Sequence, residues 1–154
     1  MYINGKFVES RSGKWIDVLN PSTEEVCSRQ PEGTVEDVEE ALDAARAAQK
    51  SWEKTPAIER AAYLSKMADG IRKREKEFVE IIMREQGKTR SWAQIEVGAT
   101  IAYFDYMATF ARHIEGEIIQ SDNRGETIFL SKKPIGVVAG ILPWNFPFFL
   151  IARK

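Results

Sequence analysis

The sequence predicts an α/β fold in which N-terminal strands and helices precede the opening βα unit of a parallel sheet. Three observations carry that reading. The first 33 residues are short apolar stretches cut by turn residues. Residues 34–116 repeat apolar side chains at helical spacing. Ile135–Leu142 is a continuous apolar run with two glycines, stopped by Pro143. Such a run fits a strand buried on both faces of a parallel sheet.

Along the chain, Tyr2–Val8 carries Asn4-Gly5 at its centre, a pair suited to the positive φ angles of a tight hairpin turn. Trp15–Leu19 alternates and stops at Asn20-Pro21, and Glu25–Gln30 is a third short strand closed by Pro31 and Gly33. Such strands need a further layer to pack on. Thr34 with Asp37 forms a capping box, after which Val38, Leu42, Ala45, Gln49 and Trp52 recur at helical spacing. Thr55-Pro56 starts a second helix with the stripe Ile58, Ala61, Leu64, Met67/Ala68 and Ile71. The Arg72–Glu77 charge run predicts a kink or break, beyond which Phe78 and Ile81/Ile82 resume the stripe and Gly87 offers a left-handed cap. Ser91 and Gln94 form a second capping box for a helix running to about His113, with Trp92, Ile95, Ala99, Ala102/Tyr103, Tyr106 and Phe110 on its buried face. Ser121–Gly125 is a polar turn, and Thr127–Lys133 is a strand whose two lysines suit an edge. The expected segments are therefore 1–120, with strands and helices, 121–133, a bridging strand, and 134–154, the start of a second unit.

Composition excludes several classes. The 154 residues suit one domain, and 44% hydrophobic with 29% charged residues argues against wholesale disorder. A net charge of −1 gives no global reason to bind nucleic acid. A single cysteine, Cys27, excludes an intramolecular disulfide framework and suits a reducing compartment, here the cytoplasm. A single histidine, His113, excludes a site with several imidazole ligands. No basic segment followed by an apolar one opens the chain, so no secretory signal is expected.

Ile135–Ala152 is 18 residues long without a charge, the length of a membrane span. Its centre argues otherwise, because Pro143, Trp144, Asn145 and Pro147 would leave backbone groups unsatisfied in lipid. A strand, a tight Pro-Trp-Asn-Phe-Pro loop and a helix start explain the same residues. Ligands bind at the carboxyl ends of strands in open α/β sheets. An asparagine placed there can aim an N–H at a developing oxyanion.

These residues resemble the NAD(P)-dependent aldehyde dehydrogenases. The resemblance begins at Tyr2-Ile-Asn-Gly-Lys-Phe-Val8, continues through Asn20–Glu24 and Trp52, and peaks at Gly140-Ile-Leu-Pro-Trp-Asn-Phe-Pro147. Phe104–Met107, Glu115–Asp122 and Pro147–Arg153 resemble the bacterial lactaldehyde/glycolaldehyde type. The resemblance implies a doubly wound cofactor domain, of which this chain holds only the opening βα unit. It implies NAD, or NADP, as cofactor. It also implies attack of a cysteine thiolate on the aldehyde, hydride transfer from the thiohemiacetal, and hydrolysis of the thioester by water that a glutamate activates. Asn145 would hydrogen-bond the substrate oxygen, and Ile141, Leu142, Pro143 and Trp144 would line the nicotinamide groove. The nucleophilic cysteine and the general-base glutamate of that scheme would lie beyond Lys154, so the chain alone is expected to be inactive. The implied partners are a small aldehyde and further copies of the same subunit in a dimer or tetramer, with neither nucleic acid nor membrane.

Other chemistry-bearing residues read more simply. Cys27 lies in a strand-like segment with no neighbour to lower its pKa. His113 reads as a cap or a solvated ring. Trp52, Trp92, Tyr103 and Tyr106 read as core packing. If a helix starts at Pro147, Phe146, Leu150 and Arg153 form one stripe facing the substrate entrance, with Arg153 suited to a hydroxyl or carboxylate on the substrate. Two rival readings are a helical interaction module with a membrane-associated tail, and a truncated paralogue that pairs with full-length subunits through Thr127–Lys133.

Overall fold

The computed structural model describes residues 1–154. It begins with a hairpin of β1 (Tyr2–Ile3) and β2 (Lys6–Phe7), turned at Asn4 and Gly5 with φ of 50° and 76°. A second antiparallel pair follows, β3 (Trp15–Leu19) and β4 (Val26–Pro31), with an irregularity in register between Val18 and Leu19. Asn20 closes the turn between them, accepting the Ser22 N–H on Oδ1 at 2.9 Å.

Helix α1 (Val35–Trp52) opens with the expected capping box, the Thr34 side chain accepting from Asp37 N–H and the Asp37 carboxylate from Thr34 N–H. Ser10 Oγ donates to the same carboxylate at 2.8 Å and ties the start of the helix to the strand region. These bonds, led by the Thr34 backbone N–H and then Ser10, hold the Asp37 carboxyl below the ordinary range against the opposing effect of burial.

The core lies among α2 (Ala57–Lys73), α3 (Glu75–Gln86) and α4 (Arg90–Thr109). Its buried residues are Ala68 from α2, Val79 and Ile82 from α3, and Ala93, Val97, Ile101 and Phe104 from α4. Fully buried Ala68 and Ala93 let the helices approach closely. The break expected over Arg72–Glu77 falls at Arg74, which leaves helical geometry at φ −117° and ψ 21°. Gly87 caps α3 at φ 63°, where a Cβ would also stand 2.9 Å from Pro21 Cγ.

Two expectations for α4 change. Its N-cap is Thr89, and Ser91 Oγ shares a hydrogen bond with Thr89 Oγ1 at 3.1 Å in place of a box with Gln94. Its buried face is Ala93, Glu96, Val97, Thr100, Ile101 and Phe104, turned about one residue from the expected stripe. Trp92, Ile95 and Tyr106 are exposed. Apolar residues occupy most of this helix's circumference, so spacing alone does not single out one face. Trp52 is also exposed, in edge contact with Tyr63, and Tyr103 is half-buried, so the expectation of four aromatic core residues does not hold.

After a 3-10 turn at Phe110–Arg112, β5 (Glu117–Gln120) pairs antiparallel with β6 (Thr127–Leu130). β5 is not among the expected strands, and this hairpin straddles the boundary expected at 120/121. Gly116 is required beside it, since a Cβ there would stand 2.2 Å from the Leu130 carbonyl oxygen.

The strand expected over Ile135–Leu142 does not form. Residues 131–143 carry no ladder, with Ile135 90% and Ile141 95% exposed. A doubly buried parallel strand needs neighbours, and all three sheets here are antiparallel pairs. The helix of the expected βα unit is present as α5 (Pro147–Arg153), with Pro147 in its first turn. The architecture is thus mixed α/β with one strand unmade. No helix is long and apolar enough to cross a membrane.

Candidate active site

The Pro143–Pro147 loop settles on the end of α3 and the start of α4. Phe148 and Ala152 of α5 pack against the core cluster, and the Phe148 ring stacks on Phe78 at 4.8 Å. Phe149 meets Tyr103 edge-on at 5.7 Å. The loop is therefore seated by the helix that follows it.

Side chains from the helical region hold the loop directly. Gln86 Nε2 donates to the Trp144 carbonyl at 2.8 Å. Glu96 Oε1 accepts from the Phe148 and Phe149 N–H groups at 2.9 and 3.3 Å, and Glu96 Oε2 pairs with Lys88 Nζ. Lys88 Nζ also lies 4.1 Å from the centroid of the Phe146 ring. Sequence reasoning missed Glu96, Lys88 and Gln86. One signal was present: Phe146 has no capping oxygen and Pro147 no N–H, so the first free N–H groups of α5 needed an acceptor from elsewhere.

A cleft of about 360 Å³ opens here, lined by Pro21, Glu85, Gln86, Lys88, Trp144 and Asn145. Asn145 is exposed at its lip, and Trp144 is 85% exposed. A carboxamide on a backbone fixed from both sides can offer an N–H to an oxygen acquiring negative charge.

The other expected site residues are only partly gathered. Phe146 is half-buried against Trp92, and Leu150 N–H closes the first turn on the Phe146 carbonyl at 3.0 Å. Arg153 is exposed, its guanidinium 5.8 Å from the Phe149 ring centroid rather than beside Phe146. Ile141 and Leu142 precede the loop on a segment without secondary structure, and Pro143 begins the loop. Cys27 lies in a neighbouring cleft with Ser28, Ile81, Arg84 and Glu85, and its Sγ donates to the Val18 carbonyl at 3.3 Å. His113 ends the 3-10 turn, its ring in edge contact with Phe110. No group of three or more His, Cys, Asp or Glu side chains is placed to hold a metal ion.

The sequence profile of the aldehyde dehydrogenase family matches residues 7–154. The chain belongs to that family. It is 57% identical over all 154 residues to lactaldehyde dehydrogenase of Escherichia coli, covering 32% of that protein. The crystal structure of the Escherichia coli enzyme superposes with a TM-score of 0.96 over the whole chain and 32% of its own length. The D-glyceraldehyde dehydrogenase (NADP(+)) of Thermoplasma acidophilum is 37% identical, with 100% of this chain and 31% of that protein covered. A betaine aldehyde dehydrogenase from Staphylococcus aureus, solved in complex with NAD+, is 33% identical at a TM-score of 0.94, covering 99% of this chain and 32% of its own. The chain thus spans about a third of the length of the aldehyde dehydrogenases it matches.

Proposed function

We propose that this chain is the N-terminal part of an NAD(P)-dependent aldehyde dehydrogenase that oxidises a small hydroxyaldehyde, of the lactaldehyde or glycolaldehyde kind, to its acid. The observation that carries this reading is the seating of Asn145 at the lip of a cleft, on a loop pinned by Gln86 and Glu96. Identity of 57% over the whole chain to a lactaldehyde dehydrogenase supports the substrate class.

In this reading Asn145 donates a hydrogen bond to the substrate oxygen as it gains charge. Ile141, Leu142, Pro143 and Trp144 form the wall for the nicotinamide. The exposed Trp144 suits that role, since a flat ring packs on apolar surface. When bound, NAD or NADP supplies the hydride acceptor. Phe146, Leu150 and Arg153 form the substrate entrance, where the Arg153 guanidinium meets a hydroxyl or carboxylate on the substrate. The proposed segments are an N-terminal part over 1–120, a bridging and oligomerisation segment over 121–133 that contains β6, and the start of the cofactor domain at 134–154. The subunit works as a homo-oligomer in the cytoplasm.

The 154-residue chain alone is inactive in this reading. Cys27, its one thiol, is engaged with the Val18 carbonyl on a β-strand. The test is reduction of nicotinamide cofactor with lactaldehyde, glycolaldehyde and propanal. The longer polypeptide carrying this segment should oxidise the hydroxyaldehydes, and the purified 154-residue chain should oxidise none. Turnover by the short chain, or a longer enzyme that prefers propanal, overturns the reading. Arg153→Ala in the longer enzyme should raise KM for the hydroxyaldehydes more than for propanal.

A further inference from the structure

Asn145 is flanked on both sides by backbone that distant side chains hold. One residue before it, the Trp144 carbonyl accepts from Gln86 Nε2. Three and four residues after it, the Phe148 and Phe149 N–H groups share a single carboxylate oxygen of Glu96. We propose that Glu96 and Gln86 are positioning residues for Asn145, holding its carboxamide where the substrate oxygen will stand. This rests on the oxyanion role proposed for Asn145.

Several features make Glu96 more than a helix cap. Its side chain is completely buried, which a carboxylate tolerates only when paired and hydrogen-bonded. Lys88 supplies the opposite charge to the second oxygen. Glu96 is set on the buried face of α4, beside fully buried Val97 and on the same face as Ala93 and Thr100. The Thr100 hydroxyl donates to the Glu96 backbone carbonyl at 2.8 Å. An anchor on such a base has little freedom to move, and a donor it steadies needs no reorganisation as charge develops. Gln86 adds a second sign: its Oε1 is buried without a partner. Its amide is thus oriented for the Trp144 carbonyl at the expense of its own second hydrogen bond.

A residue that merely docks α5 would contribute stability and nothing specific to turnover. A double-variant cycle in the longer dehydrogenase separates the two roles, together with hydrogen exchange on the same proteins. Glu96→Gln keeps an acceptor oxygen for α5, whereas Glu96→Ala keeps none. Exchange at the Phe148 and Phe149 amides should speed up about tenfold or more in Glu96→Ala and less in Glu96→Gln, with the Val97 and Ile101 amides unchanged. The kcat should fall about tenfold to a hundredfold in Glu96→Ala, short of the roughly 10²–10³ that loss of an oxyanion donor costs. The KM for the aldehyde should stay within about twofold, and Glu96→Gln should recover part of kcat. In an Asn145→Ala background, either Glu96 variant should cost less than about threefold, because the residue it serves is gone. Equal costs in both backgrounds overturn the positioning role. Unchanged exchange at Phe148 and Phe149 overturns the clamp. An Asn145→Ala enzyme with full kcat overturns the oxyanion reading itself, and with it this proposal.

Discussion

Residues 57–109 and residues 131–143 invert the usual link between composition and order. The first stretch carries many charges, yet α2, α3 and α4 bury Ala68, Val79, Ile82, Ala93, Val97, Ile101 and Phe104 against one another. In the second, Ser131–Pro134 leads into an uncharged apolar run that forms no strand and leaves Ile135, Val138 and Ile141 exposed. Hydrophobic residues drive burial only where a complementary surface exists. The helices supply one another's surface. The apolar run has no strand partner within these 154 residues.

The largest effect should come from removing packing where it exists. Phe104 is the largest side chain buried in the helical cluster, so Phe104→Ala should destabilise the chain by about 3–5 kcal/mol in a denaturant titration. Backbone geometry comes next. Gly87 adopts φ 63° and its missing Cβ makes room for Pro21, so Gly87→Ala forces a left-handed alanine against that ring. The conformation alone costs about 1–2 kcal/mol. A Gly87→Ala chain with an unchanged denaturation midpoint would show that the α3–α4 corner is looser than the core it joins.

The α1 cap gives a smaller, pH-dependent effect. Thr34→Ala removes the acceptor for the Asp37 N–H and should cost about 1 kcal/mol. The folded Asp37 carboxyl has a pKa below its unfolded value. Its contribution is therefore fully present above the unfolded value of about 3.9 and fades as pH falls through the folded one. Asp37→Asn should lower the denaturation midpoint at neutral pH, with the gap to the parent chain closing below about pH 4. A gap of constant size across that range would mean that the cap works without its charge.

How much the sequence disclosed follows from the range over which each determinant acts. The Asn4-Gly5 turn, the Thr34–Asp37 box, the Gly87 cap and the Pro147 start are each set by a few neighbouring residues, and each stands as expected. The buried face of α4 was not legible, because exposed Trp92 and Ile95 are more apolar than buried Glu96 and Thr100 and nothing local says which side meets α2. β5 was missed because Glu117–Gln120 is four residues long and becomes a strand only through its partner across the Ser121–Glu126 turn. The Asn145 loop was found from its motif, but Glu96 lies 52 residues before Phe148 and looks locally like any charge on a helix. Local signals name the donor, and tertiary contacts name what holds it.

The smallest expected effect tests the comparison most directly. Ile141 is 95% exposed, so Ile141→Ser should change the stability of the 154-residue chain by no more than about 0.5 kcal/mol. If Ile135–Leu142 gains parallel neighbours in the longer dehydrogenase, as the proposed cofactor domain requires, the same substitution removes a buried side chain and inserts a hydroxyl into the sheet. It should then cost several times more, about 2–4 kcal/mol. The ratio of the two costs measures how much of this segment's order comes from partners outside residues 1–154. A large cost in the short chain would mean that the apolar run already packs on its own helices. Equal small costs in both would mean that it is never a core strand, and Ile141 would then lose the wall position proposed for it beside Trp144.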